Sequence, residues 1–311
     1  MTDNIPRLGW GPTSAGWSED ASRVDLLVLG ALTIDRFTDG RTAPGGSVLH
    51  VARGAAFAGH TVAIATVAGG EAEAREGLAE LNRLATLHVQ RSRATARFRH
   101  RSMRSGRRLH LEAPAVRLAV TQSVLDLAYP HAVLFAPVAG EIGPRALRLF
   151  DDAPWRPVRA ANLQGWLRKL DVGEAVTAHP LRSLGKPLAS GLAAMDLLVV
   201  GREDLENVAD PWQQLNELRH RFGDRPVLVL TDGENGAWID DRRLRPLRGG
   251  EWSERWHQPV PRRVDDVATV GAGDVLAGLL AVQLWPSYLP DLRPLIISAM
   301  DRVSELLEAR R

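Results

Sequence analysis

The run Val24-Asp25-Leu26-Leu27-Val28-Leu29-Gly30, VDLLVLG, decides the fold. It is a short apolar block that begins after charge and ends at glycine, without the strict alternation of a strand with one wet face. It therefore reads as a strand buried on both sides. The same signature returns at Thr61–Val67 (TVAIATV), His131–Pro137 (HAVLFAP), Asp196–Val200 (DLLVV) and Pro226–Thr231 (PVLVLT). Helical patterns lie between these blocks, at Ser47–Ala58, Glu71–Leu84, Pro144–Phe150 and Glu203–Phe222. Strands that alternate with helices predict an α/β fold, a mostly parallel sheet covered on both faces.

The chain has 311 residues, 45% of them hydrophobic and 24% charged. These values suit a globular protein and exclude disordered, collagen-like and disulfide-scaffold classes. It has no cysteine, which removes disulfides, thiolate nucleophiles and Cys-ligated zinc. The apolar stretch Val275–Trp285 is too short for a bilayer and contains Gln283, so no membrane span is expected. Residues 1–22 read as a tail, with Trp10 and Trp17 as docking points, and lack the cationic start and apolar block of a signal peptide. A cytoplasmic protein is expected, with residues 23–311 as its α/β domain. The net charge is only +2, with Lys169 and Lys186 the only lysines, and says little about partners.

Two segments break the strand-helix rhythm. Arg36–Pro44 separates the first strand from its helix, and His88–Leu118 alternates polar and apolar residues around Ser105-Gly106. The Ser-Gly pair predicts a tight hairpin turn, and the two segments together predict a small antiparallel sheet that projects as a lid over a pocket. Eight arginines crowd the second one: Arg91, Arg93, Arg97, Arg99, Arg101, Arg104, Arg107 and Arg108. A solvated lid face is the first reading, an anionic ligand or acidic protein partner the second, and nucleic acid the third. Phe98 alone interleaves the arginines, which argues against stacking on single strands.

Three motifs carry chemistry. Val270-Gly271-Ala272-Gly273-Asp274 precedes the apolar helix VLAGLLAV. Small residues at a helix start let an anion approach unpaired N–H groups and the positive end of the dipole. Asp274 there either caps the helix or accepts a proton from an attacking hydroxyl. Gly45-Gly46 precedes another helix, with Asp35 ten residues earlier, where open α/β sheets bind ligands; the pair is either a plain turn or one side of a hydroxyl-binding site. Leu230–Ala237, LTDGENGA, reads as a strand, a glycine-bounded turn and a second strand. The histidines show no metal-ligand spacing, and neither a Walker A pattern nor GxGxxG occurs.

In this order, GALTID (Gly30–Asp35), GGSVLHVARGAAFAG (Gly45–Gly59), LTDGENGA and VGAGDVLAGLL (Val270–Leu280) resemble the ribokinase-like (PfkB) family of carbohydrate and nucleoside kinases. The resemblance spans about Val24 to Val282. PGGSVLH, APVAGE and NLQGWLR look most like an inositol-kinase-like branch. It implies a three-layer sandwich with a mostly parallel central sheet and a β lid, and ATP-dependent phosphotransfer, with Mg2+, to a hydroxyl of a small sugar, polyol or nucleoside. Carried over by position, Asp274 would be the general base. Gly271, Ala272 and Gly273 would form the anion hole, Asp35, Gly45, Gly46 and His50 would hold the acceptor, and Thr231, Gly233 and Gly236 would line the nucleotide side.

The sequence departs from the pattern in places. Ala268, Thr269 and Val270 stand where an acid and two threonines usually precede GAGD, with Asp265 and Asp266 nearby. The Asn-x-x-Glu pattern that organises magnesium is Gly201 to Asp204, so Asp204 is the metal candidate. His50 replaces the usual Asn, and the C-terminal region is short. These departures support a competing expectation, a catalytically impaired relative that serves as a binding or assembly module. Like charges on a symmetric lid contact repel, so a monomer, or a dimer built through another surface, is expected.

Overall fold

The computed structural model describes residues 23–103, 106–120, 124, 128–153, 155–206, 210–243, 254–264, 269–284 and 291–310, the side chains of 102–107 excepted. The tail with Trp10 and Trp17, Ser105, Asp265, Asp266, Ala268 and residues 285–290 lie outside them.

The first half of the chain forms β1 (Arg23–Ala31), β2 (Thr33–Arg36), β3 (Thr42–Gly45), α1 (Ser47–Phe57), β4 (Val62–Ala68), α2 (Ala72–Leu84) and β5 (Thr86–Arg91). A hairpin, β6 (Ala96–Met103) and β7 (Gly106–Ala113), precedes β8 (Tyr129–Phe135), β9 (Val158–Asn162) and the short pair β10 (Arg168–Lys169) and β11 (Thr177–Ala178). Then come α3 (Lys186–Ala193), β12 (Leu197–Gly201), α4 (Pro211–Phe222), β13 (Val227–Thr231), β14 (Ala237–Asp241) and β15 (Glu254–Gln258). Helices α5 (Ala272–Gln283) and α6 (Arg293–Glu308) follow.

Nine strands form the main sheet in the order β15-β14-β13-β12-β9-β8-β1-β4-β5. All neighbours are parallel except β13–β14 and β14–β15. Successive β1 residues explain the apolar run: Leu26 and Val28 join the core under α1, α2, α5 and α6, while Leu27 and Leu29 join the core under α3 and α4. A strand with both faces covered has no wet side to alternate. From β1 the chain winds first towards β4 and β5, then crosses back to β8, so the order reverses between β1 and β8. That reversal opens a crevice at the carboxyl ends of the strands. Glu141, buried there, accepts N–H groups from Ala31 (2.7 Å), Val138 (3.1 Å) and Ala139 (2.9 Å), which fixes the two strand ends against each other.

A second sheet, β3-β2-β6-β7, projects beside the crevice. It is mixed, not antiparallel as expected, because β2 and β6 run parallel while β2–β3 and β6–β7 are hairpins. Nor does it start at His88. Strand β5 carries His88 and Arg91 on the edge of the main sheet, and alternation alone cannot tell an edge strand from a lid strand. The outer side of β7 is covered by residues 173–176 of the same chain: Leu111 N–H donates to Glu174 O (3.2 Å), Gly173 N–H to Leu111 O (2.7 Å) and Val176 N–H to Leu109 O (2.8 Å).

Two helix expectations need correction. Pro144–Phe150 contains only one 3-10 turn, Ala146–Arg148. The pattern from Glu203 to Phe222 is a 3-10 turn at Arg202–Asp204 and then α4, which starts at Pro211 with the Asp210 carboxylate accepting Trp212 N–H (3.0 Å). Asp-Pro is a strong start signal, because the carboxylate caps and proline gives up no needed N–H. Strand β9, VRAAN, had no apolar signature to announce it. Among the described residues no helix is long and apolar enough to cross a membrane.

Candidate functional site

Two helix starts lie side by side at the crevice. Helix α1 begins after Gly46 (φ 97°) and α5 after Gly271 (φ 82°, left-handed). The helices pack closely through glycine: a Cβ on Gly54 would lie 2.3 Å from Val275 Cγ1. At Gly271 only glycine fits, since a Cβ would also stand 2.2 Å from His50 Cγ. The His50 ring therefore lies directly against the start of the loop Gly271–Gly273. Burial, with Arg53 and Arg310 nearby, pushes the His50 imidazole down to about 4, so it is neutral at physiological pH.

A cleft of about 240 Å³ lies between these helix starts and the lid. Its floor comes from the carboxyl ends of the parallel strands: Val138 after β8, Asn162 on β9, Gly201 on β12 and Thr231 on β13. Asp274 and Asp35 both line it. Asp274 sits in the first turn of α5 and is buried. Burial pushes its carboxyl up to about 6, against the opposing pull of Ser47, Arg168 and Asn162. Asn162 Nδ2 donates to Asp274 Oδ1 at 2.7 Å, which orients the carboxylate and leaves its other oxygen free of that bond.

At the lid end, β6 alternates as a strand must. Ala96, Phe98 and His100 are buried, whereas Arg97, Arg99 and Arg101 point away. Phe98 and His100 line the cleft. His100 is only 5% exposed, yet neither ring nitrogen has a hydrogen-bond partner. Its Nε2 stands 3.4 Å from Asp35 Oδ2, and its ring stacks on Phe37 at 4.9 Å. His50 Nδ1 is likewise buried without a partner. An unmade hydrogen bond in a buried site is costly, roughly 1–3 kcal/mol each, and a polar ligand in the cleft would recover it.

The opposite end carries Arg168, Glu203, Asp204 and Thr231. Asp204 is paired with Arg168, Nε to Oδ1 at 3.0 Å. Glu203 beside it is exposed to solvent and has no ion-pair partner among the described residues, and partial desolvation at the crevice, with Asp204 alongside, pushes its carboxyl up. Among those residues no three His, Cys, Asp or Glu side chains group to hold a metal ion unaided. Magnesium needs less: one or two carboxylates plus the oxygens of a bound phosphate suffice. Glu203 suits that role, with Asp204 shared with Arg168.

The sequence-derived residues thus divide. Asp274, Asp35, Gly46, His50, Gly271, Gly273, Thr231 and Asp204 share the cleft. Ala272, expected in the anion hole, is outside the lining, because the turn into α5 commits its N–H to Thr269 O (3.1 Å). Gly45 lies just behind it, close under the Asp35 carboxylate. Gly233 and Gly236 shape the turn between β13 and β14, outside the lining. Sequence reasoning passed over Ser47, His100, Asn162, Arg168 and Glu203 as site residues; Asn162 and Arg168 lie within the NLQGWLR string, the one available signal.

The same fold occurs in solved kinases. A pyrophosphate-dependent kinase in the ribokinase family, complexed with a pyrophosphate analog and myo-inositol, superposes with a TM-score of 0.71 at 16% identity, over 91% of this chain and 95% of that one. Ribokinase from Thermotoga maritima gives 0.62 at 14%, over 92% and 98%. Aminoimidazole riboside kinase from Salmonella enterica, complexed with aminoimidazole riboside and an ATP analog, gives 0.60 at 17%, over 90% and 91%. No protein-family model matches the sequence, and no curated protein matches it. At such identities the likeness speaks for the fold: this chain has the ribokinase-like α/β architecture, as its motifs led one to expect.

Proposed function

We propose that the protein is a small-molecule kinase that transfers a phosphoryl group from ATP to a hydroxyl of a small sugar, polyol or nucleoside. One observation carries the reading: the Asp274 and Asp35 carboxylates face a single cleft, with the α5 N-terminus beside them. The acceptor lies under the lid, where Asp35 and the unpartnered His100 and His50 nitrogens take its hydroxyls. Asp274, oriented by Asn162, accepts the proton of the attacking hydroxyl. The N–H groups of Gly271 and Gly273 at the start of α5 stabilise charge on the transferred group, whereas the Ala272 N–H is already given to Thr269 O (3.1 Å). Arg168 faces the donor end. Magnesium, when bound, neutralises the donor phosphates; Glu203 and Asp204 would hold it.

Pyrophosphate is the second reading for the donor. It is favoured by the fold-level likeness to a kinase solved with a pyrophosphate analog and by the cleft lining, which includes Arg168 but neither Gly233 nor Gly236. Turnover with magnesium and either donor, across a panel of polyols, sugars and nucleosides, tests both. Asp274→Asn should lower kcat roughly 100- to 10,000-fold while acceptor binding persists. Transfer that survives this change sinks the reading. No turnover, with no calorimetric binding of magnesium-ATP or pyrophosphate at millimolar concentration, leaves the binding-module alternative.

A further inference from the structure

Behind the lid hairpin β2–β3, a groove of about 1170 Å³ runs outward between α1, α2 and the end of α6. It shares Asp35, His50 and Val270 with the cleft, so the two spaces adjoin at these residues. The acceptor chemistry proposed above does not use it. Its apolar wall includes Pro44, Phe57 and Leu306. Its charged groups are Arg41, Arg53 and Arg310 against Asp35 and Glu80.

The pairing of these charges leaves one cation over. Arg53 makes a bidentate bond to Glu80, at 2.6 and 2.7 Å. Arg41 lies over the Phe37 ring and 3.8 Å from Asp39. Asp35 stands by His100. Arg310 has no carboxylate partner among the described residues and donates only to Val270 O, at 3.3 Å. Arg53 and Arg310 are close enough that each cation disfavours charge on His50, and Arg53 disfavours charge on Arg310 itself. Like charges facing a shared space repel, and an anion between them removes that repulsion. The guanidinium is also suited to planar or bidentate recognition of carboxylate and phosphate.

We infer that the groove is an anion subsite for the acceptor: the substrate is a polyol or sugar that carries a phosphate or carboxylate group, docked on Arg310. This rests on the phosphotransfer reading. The position is selective, because Asp35 repels an anion at the acceptor end of the cleft. Only an acceptor whose charge lies remote from its reacting hydroxyl can satisfy both places at once. Arg310 also grips the carbonyl that precedes Gly271, so its ligand sits against the same loop that stabilises the transferred group.

Calorimetry on the full chain, without donor, tests this with hexose and inositol monophosphates, the matching neutral sugars, and gluconate. The expected result is at least tenfold tighter binding of an anionic member than of its neutral parent. Arg310→Ala should remove most of that advantage without changing the neutral parent's affinity, and Arg310→Lys should restore part of it. Arg310 is exposed, and an unchanged Tm for the variants verifies that the fold persists. Preference for the monophosphates or for gluconate decides between phosphate and carboxylate. Equal binding of charged and neutral compounds, binding of none, or an advantage indifferent to Arg310→Ala overturns the inference. An anion preference without turnover would defeat the kinase reading alone; turnover on neutral acceptors without such a preference would defeat this inference alone.

Discussion

Asp274 joins two properties that pull against each other. Its folded-state carboxyl titrates near 6, above the ordinary 3.8, because burial penalises the charged form. A group shifted upward in this way contributes stability that is fully present below pH 3.8 and is lost as pH rises through about 6. Ionised Asp274 therefore costs the fold about 3 kcal/mol at neutral pH. Asp274→Asn should raise stability in denaturant at pH 8 by up to that amount, with the gain vanishing towards pH 4; a variant less stable at pH 8 than the parent would contradict the assignment. Activity runs the other way. In the proposed role of base Asp274 must be ionised, so kcat/KM should fall as pH drops below about 6, the descending limb set by this carboxyl. At this scale the sequence was informative wherever a residue's role follows from its neighbours in the chain. Gly271, Asp274 and Gly46 announce themselves because a helix start is a local event. Asn162, His100 and Arg168 do not, because each acts on a partner from a distant part of the chain, Asp274, Asp35 and Asp204 respectively.

Among elements, β6 makes the lid two-faced. Its buried residues close the cleft and its arginines look outward, with Glu112 between Arg36 and Arg99. His100→Leu should thus raise KM for the acceptor about tenfold or more, the loss of one or two hydrogen bonds in a desolvated site, with little change in kcat. Arg101→Glu, one residue on but on the other face, should leave KM unaltered. Equal effects from both would mean that the strand acts only as a cover. The same contrast explains which strands were legible. β1, β4, β8, β12 and β13 are buried on both faces and appear as apolar blocks. β9 occupies an equally central place but holds two alanines, Asn162 and Arg159, the last kept inside by Asp151 and the Ala194 carbonyl. Polar residues with dedicated partners erase the hydrophobic signal without weakening the strand. Strand β5 misled for the opposite reason: as an edge strand its half-exposed pattern matches that of a lid.

For the whole molecule, the lid bears on assembly. Projecting sheets invite edge-to-edge pairing, yet here the β7 edge is already bonded to residues 173–176, and the outward face carries arginines. Light scattering should find a monomer, or a dimer indifferent to Arg97→Glu and Arg99→Glu; a dimer that both changes dissolve would show that the arginine face is the contact.

The bonded β7 edge also determines traffic. Three backbone hydrogen bonds sew that margin of the lid to the stretch leading into β11, which pairs with β10 and so reaches Arg168. The β3 margin is held differently, by side chains on α2, with Thr42 Oγ1 donating to Glu73 Oε1 (3.0 Å) and Pro44 packed on Gly77, so the lid is expected to open at its β3 side and to admit the proposed acceptor past Phe37 and Arg41. Hydrogen exchange should show it as a gradient, with the amides of Leu111, Gly173 and Val176 exchanging more slowly than those of β3. The reverse order would place the doorway at the β7 margin. In the expected order, the arginines along the groove are the first charges an arriving molecule meets, and they sort it before the lid does.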